Sequence, residues 1–454
     1  MSTNPENECA RVPQVSRRGF LAAGATAASS AALGLALPRA SVAAGQAAAD
    51  EPISPGFFAS QFYDNREEEA LLDVVETGSP FRFWGPTVPK KVKTFEEKYA
   101  EYMGAKYALA VTSGTAALDC AVVALEVGPG DEVIVPAYTW WSDYTCVVHA
   151  GALPVFADID RSLCLDPEDF ARRITPRTKA VIPVHLLGGP CDMEPIMETA
   201  RKKGIAVLED AAQCVGGSYH GKKLGTIGDV GIYSFQLNKM ISSGEGGALV
   251  TDQPLIYERA ARFHSMGPLR RIFRERLGGQ SQADTFAGEN FRMSEFTGAV
   301  LGAQLPKLNT MIAGLRRAAD AARDGIKDLP GIRLRKRPDP QGDLGYAVYF
   351  ELENKAARDR CIGELRKRKI PAGTLSGSVL LPIHESVMGK QTRHPRWPSF
   401  TSPEGRAIKY GPDSCRQTLG IFDRFVQVRM GPKYTEQMTD RIVAAIREVY
   451  PMVT

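Results

Sequence analysis

The sequence predicts an α/β protein, with a large domain built on a mostly parallel sheet over residues 51–325 and a smaller C-terminal α/β domain over residues 326–454. Three observations predict it. From Lys106 to Thr251 short apolar runs alternate with amphipathic ones across short links, as expected when helices cover both faces of a parallel sheet. A second strand, helix, strand, helix series lies nearer the C-terminus. The chain has 454 residues, 44% hydrophobic and 24% charged, which is long enough for more than one core.

Taken in order, YALAVT from Tyr107 reads as a strand and GTAALDCAVVALEV as a helix. GPGD is turn chemistry; EVIVPA is a strand, DYTCVVHAGA a helix and LPVFADID a strand. DPEDFARRI carries the acidic first turn suited to a helix N-terminus. AVIPVHLLG then reads as a strand, DMEPIMETARKKG as a helix ending at Gly204, and IAVLEDAAQ as a strand. Two more apolar runs, Gly231 to Phe235 and Ala248 to Val250, flank a Ser/Gly-rich turn. Ser294 to Ile326 is expected as one long helix joining the domains. GYAVYFEL, DRCIGELRKRKI, FVQVRM and TEQMTDRIVAAIREVY supply the strands and helices of the small domain. Between them Leu375 to Gln417, including HPRWPSF, is rich in Gly, Pro and Ser, and long irregular segments of this kind are often functional loops.

The first 43 residues stand apart. Arg17 and Arg18 precede Phe20, Leu21, an Ala-rich weakly apolar stretch and a small-residue Ser41-Val42-Ala43 cleavage site, which resembles a twin-arginine signal peptide. The expectation is export by that route to a periplasmic or extracytoplasmic location. The apolar run is interrupted, so no membrane span is expected in the mature form. Removing residues 1–43 leaves 52 basic and 50 acidic residues, and no basic stretch exceeds short runs such as Arg366 to Lys369. Neither nucleic acid nor an anionic membrane is indicated as a partner. Cys120, Cys146, Cys164, Cys191, Cys214, Cys361 and Cys415 remain, without CxxC or other metal-ligand spacing; no metal is expected and most read as buried small apolar residues. Twin-arginine substrates fold before export, which the resemblance implies, so a cofactor loaded inside the cell is consistent with it.

YSFQLNKMISSGEGGALVT raises the functional question. Lys239 stands alone between two strand-like runs, where a lysine is ordinarily a solvated hairpin side chain. Other segments offer it partners. Asp210 ends the strand IAVLEDAAQ with Gln213 just beyond, and the carboxyl ends of parallel strands are where ligands bind. Ser113, Gly114 and Thr115 form a strand-to-helix turn whose backbone N–H groups suit a phosphate. Trp140 and Trp141 follow another strand and offer a surface for a flat ring. An amine, a strand-end carboxylate, a phosphate nest and an aromatic lid together are what pyridoxal phosphate requires: a Schiff-base lysine, an acid for the pyridinium nitrogen, a phosphate site and a stacking surface.

SGTAAL, VPAYTW, EDAAQ, GDVGIYSFQLNK, SGEGGALVT and GENFRMSEFTGAVLGAQLPKL, in this order and spacing, resemble the DegT/StrS family of sugar aminotransferases, a branch of the fold-type I pyridoxal-phosphate enzymes. The resemblance covers nearly all of the chain after the leader. It implies that Lys239 is the Schiff-base lysine and Asp210 the pyridinium partner. It places Gln213 near the cofactor's phenolic oxygen, Trp140 on the ring, and Gly114, Thr115 and Ser234 on the phosphate. Asn290 matches a residue reaching the neighbouring subunit's cofactor, which implies a homodimer with shared sites. Gln236 stands where many members have histidine, a departure closer to the ketocyclitol and aminohydroxybenzoate-synthase branch. The implied activity is ping-pong transfer of an amino group from glutamate or glutamine to a keto-sugar or ketocyclitol. The alternatives are dehydration and aromatisation of the aminohydroxybenzoate type, and a non-catalytic cofactor-binding sensor. His185 stays open between a packed histidine and a substrate contact; Cys146 and His149 are read as core. Arg292 is a weak candidate for the substrate or the dimer partner, and His394, Arg396 and Trp397 for the pocket wall.

Overall fold

Seven strands make the main sheet of this computed structural model, in which residues 51–454 are described; the expected export signal lies outside them. They are β1 (Tyr107–Val111), β2 (Glu132–Pro136), β3 (Leu153–Ala157), β4 (Thr178–Val181) and β5 (Ala206–Asp210), then, after a small hairpin of β6 (Ser218–Tyr219) and β7 (Lys222–Lys223), β8 (Val230–Ser234) and β9 (Gly247–Thr251). Their spatial order is β1-β9-β8-β5-β4-β2-β3. From β8 to β3 every neighbouring pair is parallel, while β9 runs antiparallel to both β8 and β1. Every residue of β2, β8 and β9 is buried, which is why these strands read as continuous apolar runs instead of alternating ones.

Local chemistry sets the element ends. The helix Gly114–Ala124 starts where Ser113, in an extended conformation, accepts the Ala116 N–H on its hydroxyl at 3.0 Å, an N-cap that satisfies one of the otherwise orphaned first-turn donors. Gly204 closes Met193–Lys203 at φ 67°, a left-handed position that suits glycine. The expected strand AVIPVHLLG is shorter than its apolar run. Pro183 has no N–H to continue the ladder, and beyond it a single parallel bridge joins Val184 to Asp210.

The expected single helix over Ser294–Ile326 is divided. Helix Glu295–Gln304 passes through a 3-10 turn, Leu305–Lys307, into helix Leu308–Asp324, because Pro306 removes a backbone donor at the join. A second sheet follows, β10 (Arg333–Leu334), β11 (Ala347–Glu351), β12 (Ala372–Gly373) and β13 (Phe425–Arg429), antiparallel in the order β10-β11-β13-β12. Helix Lys355–Lys367 packs on β12 and β13, and helix Glu436–Val453 packs on Lys355–Lys367 and Leu308–Asp324.

The Gly/Pro/Ser-rich stretch folds into short helical turns docked on the large sheet. Leu381 N–H donates to Ala137 O at 3.0 Å and Thr139 N–H to Val379 O at 3.1 Å, fastening this stretch to the chain just after β2. Elsewhere a buried ion cluster ties helix Lys91–Met103 to its surroundings. Glu96 pairs with Arg82 at 2.7 Å and Arg276 at 2.9 Å, and also accepts the Ala110 N–H at 2.9 Å. Cys120, Cys146, Cys164, Cys191, Cys214, Cys361 and Cys415 are all buried thiols, as their spacing suggested. Among the described residues no helix is long and apolar enough to cross a membrane.

Candidate active site

The end of β8, the start of β9 and the turn after β1 are drawn together by short contacts. A Cβ built on Gly114 would lie 2.8 Å from the Ser234 Cβ, and one on Gly247 would lie 2.2 Å from Ser113 O. Only glycine lets these three backbones approach so closely. Ser113 spends its hydroxyl on the helix cap, so the turn offers an anion its backbone and helix terminus, with Ser234 buried beside it. Thr115 Oγ1 lies 2.6 Å from Ser142 Oγ, which fixes the start of helix Gly114–Ala124 against the start of helix Trp141–His149.

Lys239 sits in a tightly tied loop between β8 and β9. Phe235 N–H donates to Gly246 O at 2.8 Å and Leu237 N–H to Gly244 O at 3.1 Å, while the Gln236 side chain accepts the Asn238 N–H at 2.8 Å. Gln236, the departure from the commoner histidine, thus pins the turn that carries the lysine. The Lys239 amine is half-buried and makes no hydrogen bond or ion pair among the described residues. Burial pulls its pKa down from the usual lysine value, against the opposing pull of Asp210, Asp143 and Glu245. A lysine held in this way is more readily a free, nucleophilic amine.

Asp210, at the end of β5, is buried, and its Oδ1 accepts the Ala212 N–H at 2.7 Å. Burial raises its pKa; the Ala212 N–H, Asp143 and Lys239 pull it back. Gln213 uses its Oε1 to accept the Leu187 N–H at 3.1 Å, an arrangement that leaves its amide N–H groups to donate elsewhere. Trp140 is 56% exposed at the strand end. Trp141, by contrast, donates its indole N–H to Ser378 O at 3.0 Å and meets His384 edge-on, so of the two tryptophans only Trp140 presents a free face.

The remaining candidates divide. His185 is a packed histidine: it is fully buried, its Nε2 is 2.9 Å from Glu209 Oε2, and its Nδ1 accepts the Cys191 N–H at 3.1 Å. Glu209 also accepts the N–H groups of Gly225, Ile227 and Gly228, which makes the pair a structural brace behind β5. Cys146 is core as read, but His149 is not; it is exposed and lies 3.5 Å from Asp119, because it falls on the last turn of its helix. Arg292 lies over the Phe81 ring at 5.7 Å. Asn290 is exposed and its side chain has no hydrogen-bond partner among the described residues. Trp397 anchors its loop by donating to Val148 O under Arg393, at the opposite end of helix Trp141–His149 from Trp140, while His394 and Arg396 are exposed.

One candidate residue beside Asp210 was missed from the sequence. Asp143 is completely buried in the first turn of helix Trp141–His149, its Oδ2 accepts the Thr139 hydroxyl at 2.5 Å, and its carboxyl faces Asp210. The available signal was a lone acid in the otherwise uncharged WSDYTCV. A lysine, a buried strand-end acid, an amide donor, a free indole face and a glycine-lined anion turn fit pyridoxal phosphate. The described residues contain no group of three or more His, Cys, Asp or Glu placed to hold a metal ion.

Comparison with known proteins agrees. The DegT/DnrJ/EryC1/StrS aminotransferase family profile matches residues 64–397. The chain is 31% identical over 363 residues to the GDP-perosamine synthase of Vibrio cholerae, covering 76% of this chain and 95% of that one. It is 40% identical over 257 residues to the GDP-perosamine synthase of Caulobacter vibrioides, covering 56% and 65%. To the 3-amino-5-hydroxybenzoate synthase of Amycolatopsis mediterranei it is 38% identical over 266 residues, covering 57% and 65%; the alignments to these last two span just under two thirds of the relative's length. The crystal structure of a 3-amino-5-hydroxybenzoic acid synthase superposes with a TM-score of 0.73 at 28% identity, covering 88% of this chain and 99% of that one. The chain therefore belongs to the DegT/DnrJ/EryC1/StrS aminotransferase family, whose enzymes depend on pyridoxal phosphate.

Proposed function

We propose that this pyridoxal-phosphate-dependent aminotransferase moves an amino group from glutamate or glutamine to the keto group of a sugar or cyclitol, by a ping-pong course. The observation that carries the reading is the unpartnered, half-buried Lys239 amine within the field of buried Asp210. Pyridoxal phosphate, when bound, supplies an aldehyde for amine capture and a ring that accepts the electron pair left by the departing Cα proton. Lys239 is its covalent anchor and, once displaced, carries the proton from the donor's Cα; its lowered pKa favours the free amine that this needs. Asp210 holds the proton of the ring nitrogen, Gln213 orients the phenolic oxygen through its amide N–H, and Trp140 covers the ring. The turn at Gly114 and Thr115, with Ser234, takes the phosphate.

GDP-perosamine synthases among the relatives favour a sugar acceptor; the 3-amino-5-hydroxybenzoate synthases keep the dehydration and aromatisation reading as the second candidate. Residues 51–325 form the cofactor domain and 326–454 the small domain of this reading. Asn290 reaches the second subunit's cofactor in a homodimer, and the leader directs export by the twin-arginine route.

The test is a visible spectrum of the mature protein with pyridoxal phosphate, before and after L-glutamate or L-glutamine, beside Lys239→Ala. The expected result is a yellow band that requires Lys239 and bleaches with the donor. A band that no amino acid bleaches would leave the cofactor in place and remove transamination.

A further inference from the structure

We infer that Asp143 keeps a proton and donates it in a hydrogen bond to Asp210, so that a buried acid pair with a single negative charge stands behind the cofactor's ring nitrogen. The inference rests on the cofactor reading for its consequence, and on geometry for the proton itself.

The Asp143 carboxyl is wholly inaccessible to water. Its Oδ2 accepts the Thr139 hydroxyl at 2.5 Å, whereas its Oδ1 is buried and has no hydrogen-bond partner among the described residues. The neighbouring Asp210 carboxyl is buried as well and accepts the Ala212 N–H at 2.7 Å. Two ionised carboxylates buried side by side repel each other; one proton shared between them converts that repulsion into a charge-assisted bond. Asp210 is the better stabilised anion, since it accepts a backbone N–H as well as feeling the Lys239 amine. Burial and the neighbouring Asp210 push Asp143 well above the usual carboxylate range. The other groups facing the pair are the Lys239 amine, whose positive form opposes that push, and the Cys146 thiol with Asp119 beyond it. The proton therefore resides on Asp143 Oδ1, and Thr139 fixes the carboxyl through its other oxygen. Asp143 is a positioning residue: it holds Asp210 ionised and oriented for the ring nitrogen without touching the cofactor.

Two variants and two readouts test this. A carboxamide in place of the acid would offer an N–H where Asp143 offers O–H, so Asp143→Asn is expected to keep the dissociation constant for pyridoxal phosphate within about threefold and leave the pH titration of the bound cofactor's visible band unshifted. Asp143→Ala removes the donor and is expected to weaken cofactor binding about tenfold or more and to shift that titration. Infrared difference spectra of the cofactor-free wild type against Asp143→Asn at neutral pH should show a protonated carboxylic C=O band in the wild type alone. Absence of that band, or an Asp143→Asn variant as impaired as Asp143→Ala, would overturn the inference by placing a charge on Asp143. A spectrum and affinity unchanged in Asp143→Ala would overturn the positioning role. If wild type bound no pyridoxal phosphate, the cofactor reading would fail, and the infrared band would still decide where the proton is.

Discussion

Gly114 and Ser234 stand so close that a methyl group on the glycine would lie 2.8 Å from the serine Cβ. The contact joins the turn after β1 to the end of β8, two segments separated by more than a hundred residues in sequence. Gly114→Ala must push these backbones apart, and strain of this kind costs about 1–3 kcal/mol. The expected outcome is a fall of about tenfold or more in pyridoxal phosphate affinity with a smaller change in apoprotein stability, checked by cofactor titration and urea unfolding.

The acid pair gives a pH dependence with a definite sign. Asp143 binds its proton more tightly in the folded chain than in the unfolded one. Its contribution is therefore fully present below the ordinary Asp value of about 4 and is lost as pH rises toward the folded value, by up to about 1.4 kcal/mol per pH unit. Asp143→Asn abolishes that loss. Urea midpoints of the two apoproteins should diverge in favour of the variant as pH increases from about 4 to 7, and parallel profiles would contradict the assignment.

Glu96 is buried against two arginines and a backbone N–H. Glu96→Gln leaves buried Arg82 without its paired carboxylate and Arg276 with only the longer contact to Glu97, and breaking such a cluster from one side costs about 3–5 kcal/mol. Equilibrium unfolding should show this loss. The cofactor's visible band in the surviving folded fraction should be unchanged, since Glu96 contacts no residue of the site.

Shared sites would make subunits complementary. Lys239→Ala and Asn290→Ala are each expected to be inactive or severely impaired, yet unfolding and refolding the two together should restore activity, because one site of each mixed dimer carries neither change. No recovery would assign Asn290 a role within its own subunit or none.

Much of this architecture was legible because strands buried on both faces are written as uninterrupted apolar runs, and helices as amphipathic ones. The candidate site was legible in part for a similar reason: Asp210 is a polar group ending an apolar strand, and Lys239 a lone amine in the loop joining two such strands. Asp143 escaped because a first-turn acid is usually explained by the helix dipole, and only the fold shows that its carboxyl turns inward to Asp210 and away from solvent. Glu209 is adjacent to Asp210 in sequence but belongs to the opposite face of β5, and its partners Gly225, Ile227 and Gly228 arrive by way of a hairpin that no local pattern announces. The break at Pro306 was visible as a residue, while its outcome, a short 3-10 turn between two nearly continuous helices, depended on packing at both ends. His149 was misassigned because one turn of helix decides between core and solvent.

The reversed strand β9 also dictates an order of events during synthesis. Among the described residues β1 has no partner in the main sheet other than β9, and Tyr107 pairs with Thr251. A nascent chain that has emerged only as far as β8 can pair the parallel strands, but its first strand still waits for its neighbour. Gly247, which opens β9, is also the residue pressed against Ser113. The anion turn is thus completed by the same strand that carries the chain out of the lysine loop, so one strand sets the position of both.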